Sequence, residues 1–485
     1  MPFQSVFHEV HDVIVFGAGY AGFAAARTCL EAGRRVLLVE RQAAMLWESG
    51  WAFAADAGSS QEPLWREWIS HLTQRHAYDN GMIDGAIAEV LGSEFARTRP
   101  LPVLYYATPV AVEGDGDLLH AVIVATKSGL HRLAARQWID ATETGELLGL
   151  LRRDWQPPAP MTQTLHLYFR HTSWPQTKTV TLPCSALDGA RLTWRPTLWP
   201  NERCLAIDLS GDATRRLAAW VPALQTLHAA FPTEMETAVL THGSVLPLGS
   251  YGGGEVSAPR LPANVAAAHP GLAGREVHTL AQRFELGLRA ARELADQPAA
   301  EPPALLDAAV PPPWDFREEA VDIAVAGIGT GGMMAAVAAG RAGHSVLAFD
   351  PLPFAGGIGA GGGIHWYYYG VKGGLQEELN ERIRAIMPLF AKTNQIQGFH
   401  PEAKKVAIEA MLHEAGVRTL HGAMLFDVEK ARYRVTHGHI ATAHGPLRLV
   451  AAAWIDATGD GDLAAHAGVP YWFGRDADGQ LHAYS

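Results

Sequence analysis

Short apolar runs that lead into a glycine-rich turn and then an alanine-rich segment occur twice along the chain. The first run ends at Gly17 and the second at Gly327, and each is followed by another apolar run that closes on an acid, Glu40 or Asp350. The acid lies at the same distance from the first glycine in both cases. Apolar runs of this length that alternate with helical segments predict buried parallel strands in β–α–β units.

The repetition continues beyond these segments. Trp138-Ile-Asp140-Ala-Thr142 in the first half matches Trp454-Ile-Asp456-Ala-Thr458 in the second. Two copies of one supersecondary plan in tandem are the simplest interpretation of this pattern. We therefore predict an α/β protein with two Rossmann-like dinucleotide-binding domains in tandem.

The region between the halves has a different pattern. Residues 164–170 and 203–209 alternate polar and apolar positions, which predicts strands, and residues 274–295 have apolar positions at helical spacing. Residues 297–316 are rich in proline, which is typical of a stiff linker. The expected organisation is a first dinucleotide-binding domain (1–160), an inserted mainly-β domain for substrate or interface (161–245), a return segment with a closing helix (246–296), the linker (297–316) and a second dinucleotide-binding domain (317–485).

Composition narrows the class of protein. With 485 residues the chain needs more than one core, and its net charge of −11 argues against a nucleic-acid partner. The three cysteines, Cys29, Cys184 and Cys204, contain no Cys-x-x-Cys pair, which argues against a disulfide framework or an iron–sulfur site. Neither a signal peptide nor a membrane span is evident in the pattern. We expect a cytoplasmic protein with a small-molecule substrate.

The two glycine turns are the first candidates for chemistry. In a Gly-x-Gly-x-x-Gly turn the first glycine makes the turn, the second admits a pyrophosphate and the third lets the helix pack on the strand, while the later acid binds ribose hydroxyls. The predicted cofactor-binding residues of this type are Gly17, Gly19, Gly22 and Glu40 in the first half, and Gly327, Gly329, Gly332 and Asp350 in the second.

The second half carries two further elements after Asp350. A glycine cluster spans residues 356–363, and the turn Asp456-Ala-Thr458-Gly459-Asp460 follows the last predicted strand. The cluster lets a flat ring approach the backbone without Cβ clashes, and the turn would pass over a pyrophosphate or ribityl chain. These elements add Gly356, Gly357, Gly362, Gly363, Thr458, Gly459 and Asp460 to the predicted cofactor-binding residues.

With these motifs the second half resembles the FAD-dependent oxidoreductases that have a glutathione-reductase-type flavin domain. The first half is similar at its three glycines, Glu40 and Asp140-Ala-Thr142. The resemblance covers most of the chain and is dense over residues 321–470. It implies that FAD is the cofactor and that the activity is redox chemistry, and it does not imply a particular substrate.

The first half departs from this pattern where a flavin ring would lie. Residues 41–53 carry bulky side chains, among them Trp47, where the second half has glycines. Two interpretations stay open: this half holds a dinucleotide in another way, or it is a structural remnant that shapes the active cleft.

The catalytic candidates follow the second glycine cluster. His365 is expected near the flavin, where it would manage the proton that accompanies hydride transfer, with Tyr367 and Tyr369 as secondary candidates. Backbone bonding by His365 and core packing of the tyrosines are the structural alternatives. No metal site is predicted, because we expect Asp460 and Asp462 to cap the helix that begins near Leu463.

The sequence thus predicts an FAD-dependent oxidoreductase that transfers hydride between flavin and a small organic substrate. One alternative is a two-cofactor enzyme in which the first half binds NAD and reduces the FAD of the second. Another is a non-catalytic flavin-binding subunit of a larger complex. A homo-oligomer, or a second subunit that completes the C-terminal half, also stays open, as does the chain being a fragment.

Overall fold

The N-terminal part of the chain forms a sheet with helices packed on it. The structure is a computed structural model that describes residues 9–171, 178–210, 216–253, 259–301, 316–366, 373–392, 398–472 and 474–475. The first elements, in chain order, are β1 (Val10–Phe16), α1 (Tyr20–Glu31), β2 (Val36–Val39), α2 (Trp47–Gly50), α3 (Pro63–Gln74), β3 (Tyr78–Asp79), β4 (Met82–Ile83), α4 (Gly85–Thr98), β5 (Val103–Leu104), β6 (Thr108–Gly114), β7 (Leu119–Thr126), β8 (Gly129–Asp140) and α5 (Glu146–Leu151).

A second, mainly antiparallel sheet follows, which we call the middle sheet. Its elements are β9 (Thr162–Arg170), β10 (Val180–Cys184), β11 (Ala190–Pro196), β12 (Glu202–Ser210), α6 (Trp220–Ala230), α7 (Pro232–Met235), β13 (Val239–Gly243) and β14 (Leu248–Ser250). The order is β10-β11-β12-β9-β13, with β14 also paired to β9.

The chain then returns to the first sheet through β15 (Val265–Ala267) and α8 (Leu280–Ala295). Thr279 and Gln282 form a capping box, so the helix begins at Leu280 rather than near the Gly274 of the sequence prediction. Residues 10–151 and 265–295 together are called the N-terminal unit. Its strand order is β5-β2-β1-β8-β7-β6, with β15 parallel to β8.

The last part of the chain builds another sheet with the same order of strands. Residues 317–466, called the C-terminal unit, form the order β18-β17-β16-β21-β20-β19. The elements are β16 (Arg317–Ala326), α9 (Thr330–Arg341), β17 (Val346–Asp350), α10 (Ile358–Gly361), α11 (Gly374–Phe390), α12 (Pro401–Glu414), β18 (Arg418–His421), β19 (Met424–Ala431), β20 (Arg434–Thr442), β21 (Gly445–Asp456) and α13 (Asp462–His466).

The middle sheet packs between the two units. Along β9, Leu165, Leu167 and Phe169 belong to a core shared with α9, α11 and α12. The alternate side chains His166 and Tyr168 point the other way, because successive side chains of a strand lie on opposite faces. They bond the carbonyl oxygens of Ala52 (2.8 Å) and Phe53 (2.7 Å) in the N-terminal unit.

The two units also contact each other through the antiparallel halves of their sheets. Val110, Ile123 and Ala125 of the N-terminal unit pack against Met424 and Phe426 of the C-terminal unit. This contact places the turn between β7 and β8 beside the end of β21. Among the described residues, no helix is both long and apolar enough to cross a membrane.

Candidate functional site

The junction between the first strand and the first helix has the same backbone path in both units. Gly17 and Gly327 have φ values of +89° and +91°. A Cβ on Gly327 would lie 2.3 Å from the Ala457 carbonyl oxygen, and one on Gly17 would lie 2.6 Å from that of Ala141. Both glycines are therefore needed to bring the strand, the helix and the later Asp-Ala-Thr turn together, whether or not a ligand binds.

The third glycine of each motif has the same packing role. A Cβ on Gly22 or Gly332 would lie 1.7 Å or 2.0 Å from the carbonyl oxygen of the first glycine. No side chain fits at either position, because helix and strand are in direct contact there. These two glycines are therefore required by the fold, and their presence alone does not indicate that a cofactor binds.

The acid after the second strand makes the same pair of backbone contacts in each unit. Glu40 accepts hydrogen bonds from the amides of Ala18 (2.6 Å) and Gln42 (2.7 Å). Asp350 accepts from those of Ile328 (2.7 Å) and Leu352 (2.9 Å). Burial is the main cause that raises the pKa of each carboxyl group, and the backbone donors act in the opposite direction.

The Asp-Ala-Thr turn after the long strand is also matched. Asp456 accepts from the Thr458 amide (3.1 Å) and hydroxyl (2.8 Å) and from the Ala464 amide (2.8 Å). Asp140 makes the corresponding bonds to Thr142 and Leu148. The turn thus caps the short helix that follows it in both units.

The two units differ at the N-terminus of the first helix. In the N-terminal unit the Glu48 carboxyl group accepts a hydrogen bond from the Tyr20 amide at 3.0 Å. Glu48 is only 2% exposed, and a Cβ on Gly19 would lie 2.5 Å from its Oε1 atom. A side chain of the protein itself therefore occupies the place where a helix N-terminus would receive a phosphate.

The space beside Glu40 is closed as well. Arg41 bonds Glu146 at 2.8 Å across the mouth of the site. The remaining cavity, lined by Gly17, Glu40, Arg41, Thr142 and neighbouring residues, has a volume of about 30 Å³. That volume holds one or two water molecules and no nucleoside.

In the C-terminal unit the corresponding surface is open. Thr330 and Gly331 are exposed and Gly329 is half-buried. A Cβ on Gly329 or Gly331 would meet no heavy atom of the described residues within 4 Å. The free amides at the start of α9 and the helix dipole are therefore available to an anion.

The loop that follows the acid separates the units further. The Leu46 amide bonds the Ala18 carbonyl oxygen at 2.8 Å, and the Gly356 amide bonds that of Ile328 at the same distance. By this match, the position of Glu48 in the N-terminal unit is equivalent to that of Ile358 in the C-terminal unit. Ile358 is 69% exposed. Gly357 lies directly against Gly329, since its Cβ would be 3.0 Å from the Gly329 Cα atom.

By the same match, Phe53 in the N-terminal unit is equivalent to Gly363 in the C-terminal unit. Both residues have positive φ, +51° and +71°. A positive φ strains the backbone at Phe53, whereas glycine adopts it without strain. The Phe53 ring packs edge-on against the His242 ring, with centroids 4.6 Å apart. A ring side chain of the protein thus fills the face that Gly363 leaves exposed in the C-terminal unit.

His365 lies on the exposed loop after the glycine cluster. Its Nδ1 atom is 3.2 Å from the Gly363 carbonyl oxygen. Because a carbonyl oxygen only accepts, Nδ1 donates in this contact, and Nε2 is the ring nitrogen left to contact another group. Tyr367 and Tyr369 lie outside the described residues.

The acids after the Asp456 turn differ from their prediction as helix caps. The N-cap of α13 is Gly461, without a side-chain cap bond. The Asp462 amide is instead bound by the Thr458 hydroxyl at 2.8 Å. Asp460 and Asp462 bond Lys127 of the N-terminal unit, because the β7–β8 turn brings this cation to them.

The structure brings most of the predicted cofactor-binding residues of the C-terminal unit to one surface, at the start of α9. Close backbone approaches or hydrogen bonds connect the following residues to this junction: Gly327, Gly329, Gly332, Asp350, Gly356, Gly357 and Thr458. Gly362, Gly363, Gly459 and Asp460 flank them along the chain.

Sequence reasoning missed three residues, Glu48, Phe53 and Lys127. Aligning the two halves residue by residue would have shown an acid at the position of Ile358. Lys127 gave no signal, because its partners are far away in the chain.

Comparison with known proteins gives a family-level match. The family described as FAD dependent oxidoreductase matches residues 12–155 and 322–483, which together are more than half of the chain. No curated protein matches.

Solved structures give a more distant similarity. The flavin-dependent brominase Bmp2 is 12% identical with a TM-score of 0.43, over 60% of this chain and 81% of that chain. A geranylgeranyl bacteriochlorophyll reductase-like protein from Thermoplasma acidophilum is 12% identical (TM-score 0.40, 59% and 77%). The anhydrotetracycline hydroxylase OxyS from Streptomyces rimosus is 16% identical (TM-score 0.41, 59% and 63%).

Proposed function

Because the chain belongs to the family of FAD-dependent oxidoreductases, we propose that its C-terminal unit binds the FAD and that its N-terminal unit binds none. The enzyme uses FAD as its cofactor. The observation that carries the proposal is the state of the two helix N-termini. That of α9 is open, whereas that of α1 is bonded to the buried Glu48.

The residues of the C-terminal unit fit a dinucleotide. The open amides at Gly329 and Gly331 suit the pyrophosphate, Asp350 retains lone pairs for ribose hydroxyls, and Thr458 and Gly459 border the same surface. Gly357 and Gly363 leave the backbone free to contact a flat ring. When bound, FAD supplies two-electron chemistry by accepting or donating hydride.

We propose further that the protein's own catalytic group is His365. With Nδ1 bonded to the Gly363 carbonyl, Nε2 is free to take the proton from a substrate hydroxyl or amine while hydride leaves the neighbouring carbon. In the reverse direction the same atom returns the proton. The substrate is a small organic molecule that is oxidised or reduced by two electrons.

The matched strand order and the matched hydrogen bonds support the proposal that the units are a tandem duplication, the first of them followed by an inserted β domain. In this view the N-terminal unit has kept the fold and lost the cofactor. The cavity of about 30 Å³ beside Glu40 also argues against an NAD site there.

The test is the number of FAD molecules released per chain from purified protein, with Gly329→Ala as the diagnostic variant. We expect one FAD per chain. Its loss in Gly329→Ala is expected because the new methyl group would meet the pyrophosphate, while it meets no atom in the part of the chain that the structure describes. Two FAD molecules per chain, or an unchanged content in Gly329→Ala, would contradict the proposed site.

A further inference from the structure

A cation from the N-terminal unit stands at the edge of the C-terminal unit's cofactor surface. Lys127 Nζ lies 2.5 Å from Asp460 Oδ2 and 3.2 Å from Asp462 Oδ2. Both acids follow Thr458, whose amide nitrogen would lie 2.8 Å from a Cβ on Gly327. Lys127 therefore contacts the same turn, residues 456–462, that packs against the Gly-x-Gly junction, although Lys127 comes from a different sheet.

The turn that carries Lys127 is held in place by its own hydrogen bonds. The Thr126 hydroxyl donates to the Gly129 carbonyl oxygen (3.1 Å) and accepts from the Ser128 amide (3.3 Å). Behind it, the apolar contact between Val110, Ile123 and Phe426 fixes the units against each other. The position of Lys127 therefore follows from the packing of the two units.

The surroundings keep Lys127 charged. Partial burial disfavours its ammonium group, but Asp460 and Asp462 together raise the pKa. Lys127 is also close enough to oppose the burial effect on the pKa of the Asp350 carboxyl group. Lys127 thus forms ion pairs with Asp460 and Asp462 and acts on Asp350 through its charge alone.

The arrangement is not reciprocal. The corresponding turn of the C-terminal unit has Ala443 in the place of Lys127. In the N-terminal unit Glu146, which matches Asp462 in position, is paired within its own unit with Arg41. Within the described part of the chain, this cation from the N-terminal unit lies on the same unit whose helix N-terminus is open.

The pair is also too exposed to serve stability. The side chains of Lys127 and Asp460 are 41% and 73% exposed, and exposed ion pairs contribute little to folding. Their benefit is instead expected where an anion approaches. A pyrophosphate at the start of α9 would be repelled by the three acids, and the ammonium group offsets that repulsion.

We propose that Lys127 is a cofactor-positioning residue of the C-terminal site, contributed by the N-terminal unit, which favours binding of the FAD diphosphate and holds the turn at residues 456–462. This proposal rests on the proposed function above. It gives the N-terminal unit a role in the cofactor site even though that unit binds no FAD.

The experiment is titration of FAD-free protein with FAD, followed by flavin fluorescence, for Lys127→Met and Lys127→Arg at low and high salt. At low salt we expect Lys127→Met to raise the Kd about tenfold, the effect of losing one charge-assisted contact. Lys127→Arg should stay close to the unaltered protein. Near 1 M salt the difference should shrink, because charges are then screened over about 3 Å.

The matched control is Lys392→Met, which removes an exposed lysine paired with Glu236 away from this surface. It should change neither the Kd nor its salt dependence. Thermal unfolding of Lys127→Met should match that of the unaltered protein. A Kd for Lys127→Met within twofold of the unaltered protein at low salt would overturn the proposal, provided that Gly329→Ala still weakens FAD binding. If Gly329→Ala also has no effect, the proposed FAD site itself is wrong, and the role of Lys127 with it.

Discussion

The N-terminal and C-terminal units have one strand order, one pair of glycine junctions and one set of turn hydrogen bonds, yet only one presents an open helix end. In the N-terminal unit Glu48 bonds the helix and Phe53 fills the ring face. In the C-terminal unit Ile358 and Gly363 stand at these positions and are exposed. A Gly-x-Gly-x-x-Gly motif therefore indicates a fold, and residues outside the motif decide whether the site is open.

The packing of the middle sheet reinforces the contrast. His166 and Tyr168 bond the backbone of residues 52 and 53, so this segment of the N-terminal unit is covered. The corresponding segment of the C-terminal unit, residues 362–366, is exposed. His365 is therefore exposed, whereas Ala55, which is at the matching position of the N-terminal unit, is buried.

The largest effect is expected at this pair of positions. Replacing His365 with alanine should lower kcat by about 10²–10⁴-fold, the usual contribution of a positioned acid or base, while the FAD content stays unchanged. Steady-state turnover with the released flavin measured alongside checks this. His120→Ala, which alters a histidine of the N-terminal unit paired with Asp115, is the control. Full turnover in His365→Ala would remove His365 from the mechanism.

A second prediction contrasts the second glycines of the two motifs, Gly19 and Gly329. Gly19→Ala would place a methyl group against Glu48 and Trp47, so we expect a loss of about 1–3 kcal/mol in the free energy of unfolding with an unchanged FAD content. Gly329→Ala should leave the free energy of unfolding unchanged and lower the FAD content, since its methyl group meets no atom of the described residues. Urea unfolding of both FAD-free variants tests the pair. Equal losses of stability would mean that the two helix ends are alike.

The last prediction concerns how the stability of the protein depends on pH through the N-terminal unit. Burial raises the pKa of Glu48 from its ordinary value of 4.5 to about 7, with Arg283 acting in the opposite direction. A carboxyl group whose pKa is raised by folding stabilises the protein below its unfolded pKa. That contribution is lost as the pH rises through the folded value.

The free energy of unfolding should therefore fall less between pH 5 and pH 8 in Glu48→Gln than in the unaltered protein. The two decreases should differ by up to about 3 kcal/mol. Urea unfolding at the two pH values measures the difference, with the exposed Glu301→Gln as the control. The same pH dependence in Glu48→Gln and in the unaltered protein would show that folding does not raise the pKa of Glu48.

Much of the fold was predictable from local pattern. The strands that end at Phe16 and Ala326 lie where the apolar runs predict them, because buried parallel strands need continuous apolar residues. The start of α8 was missed, because the capping box at Thr279 stops the helical pattern short of Gly274. The role of Asp460 and Asp462 was missed because their partner, Lys127, is on another sheet.

Local sequence patterns were enough to predict the α/β class, the two strand–turn–helix junctions and the FAD-dependent family, since these follow from neighbouring residues and fixed spacings. Which junction is open depends instead on tertiary packing, because Glu48, Phe53 and the middle sheet close over one helix and leave the other exposed. Side chains that meet across hundreds of residues are matched by packing, and no local pattern encodes that match. Lys127 beside Asp460 is the example on which a role for the N-terminal unit in cofactor binding depends.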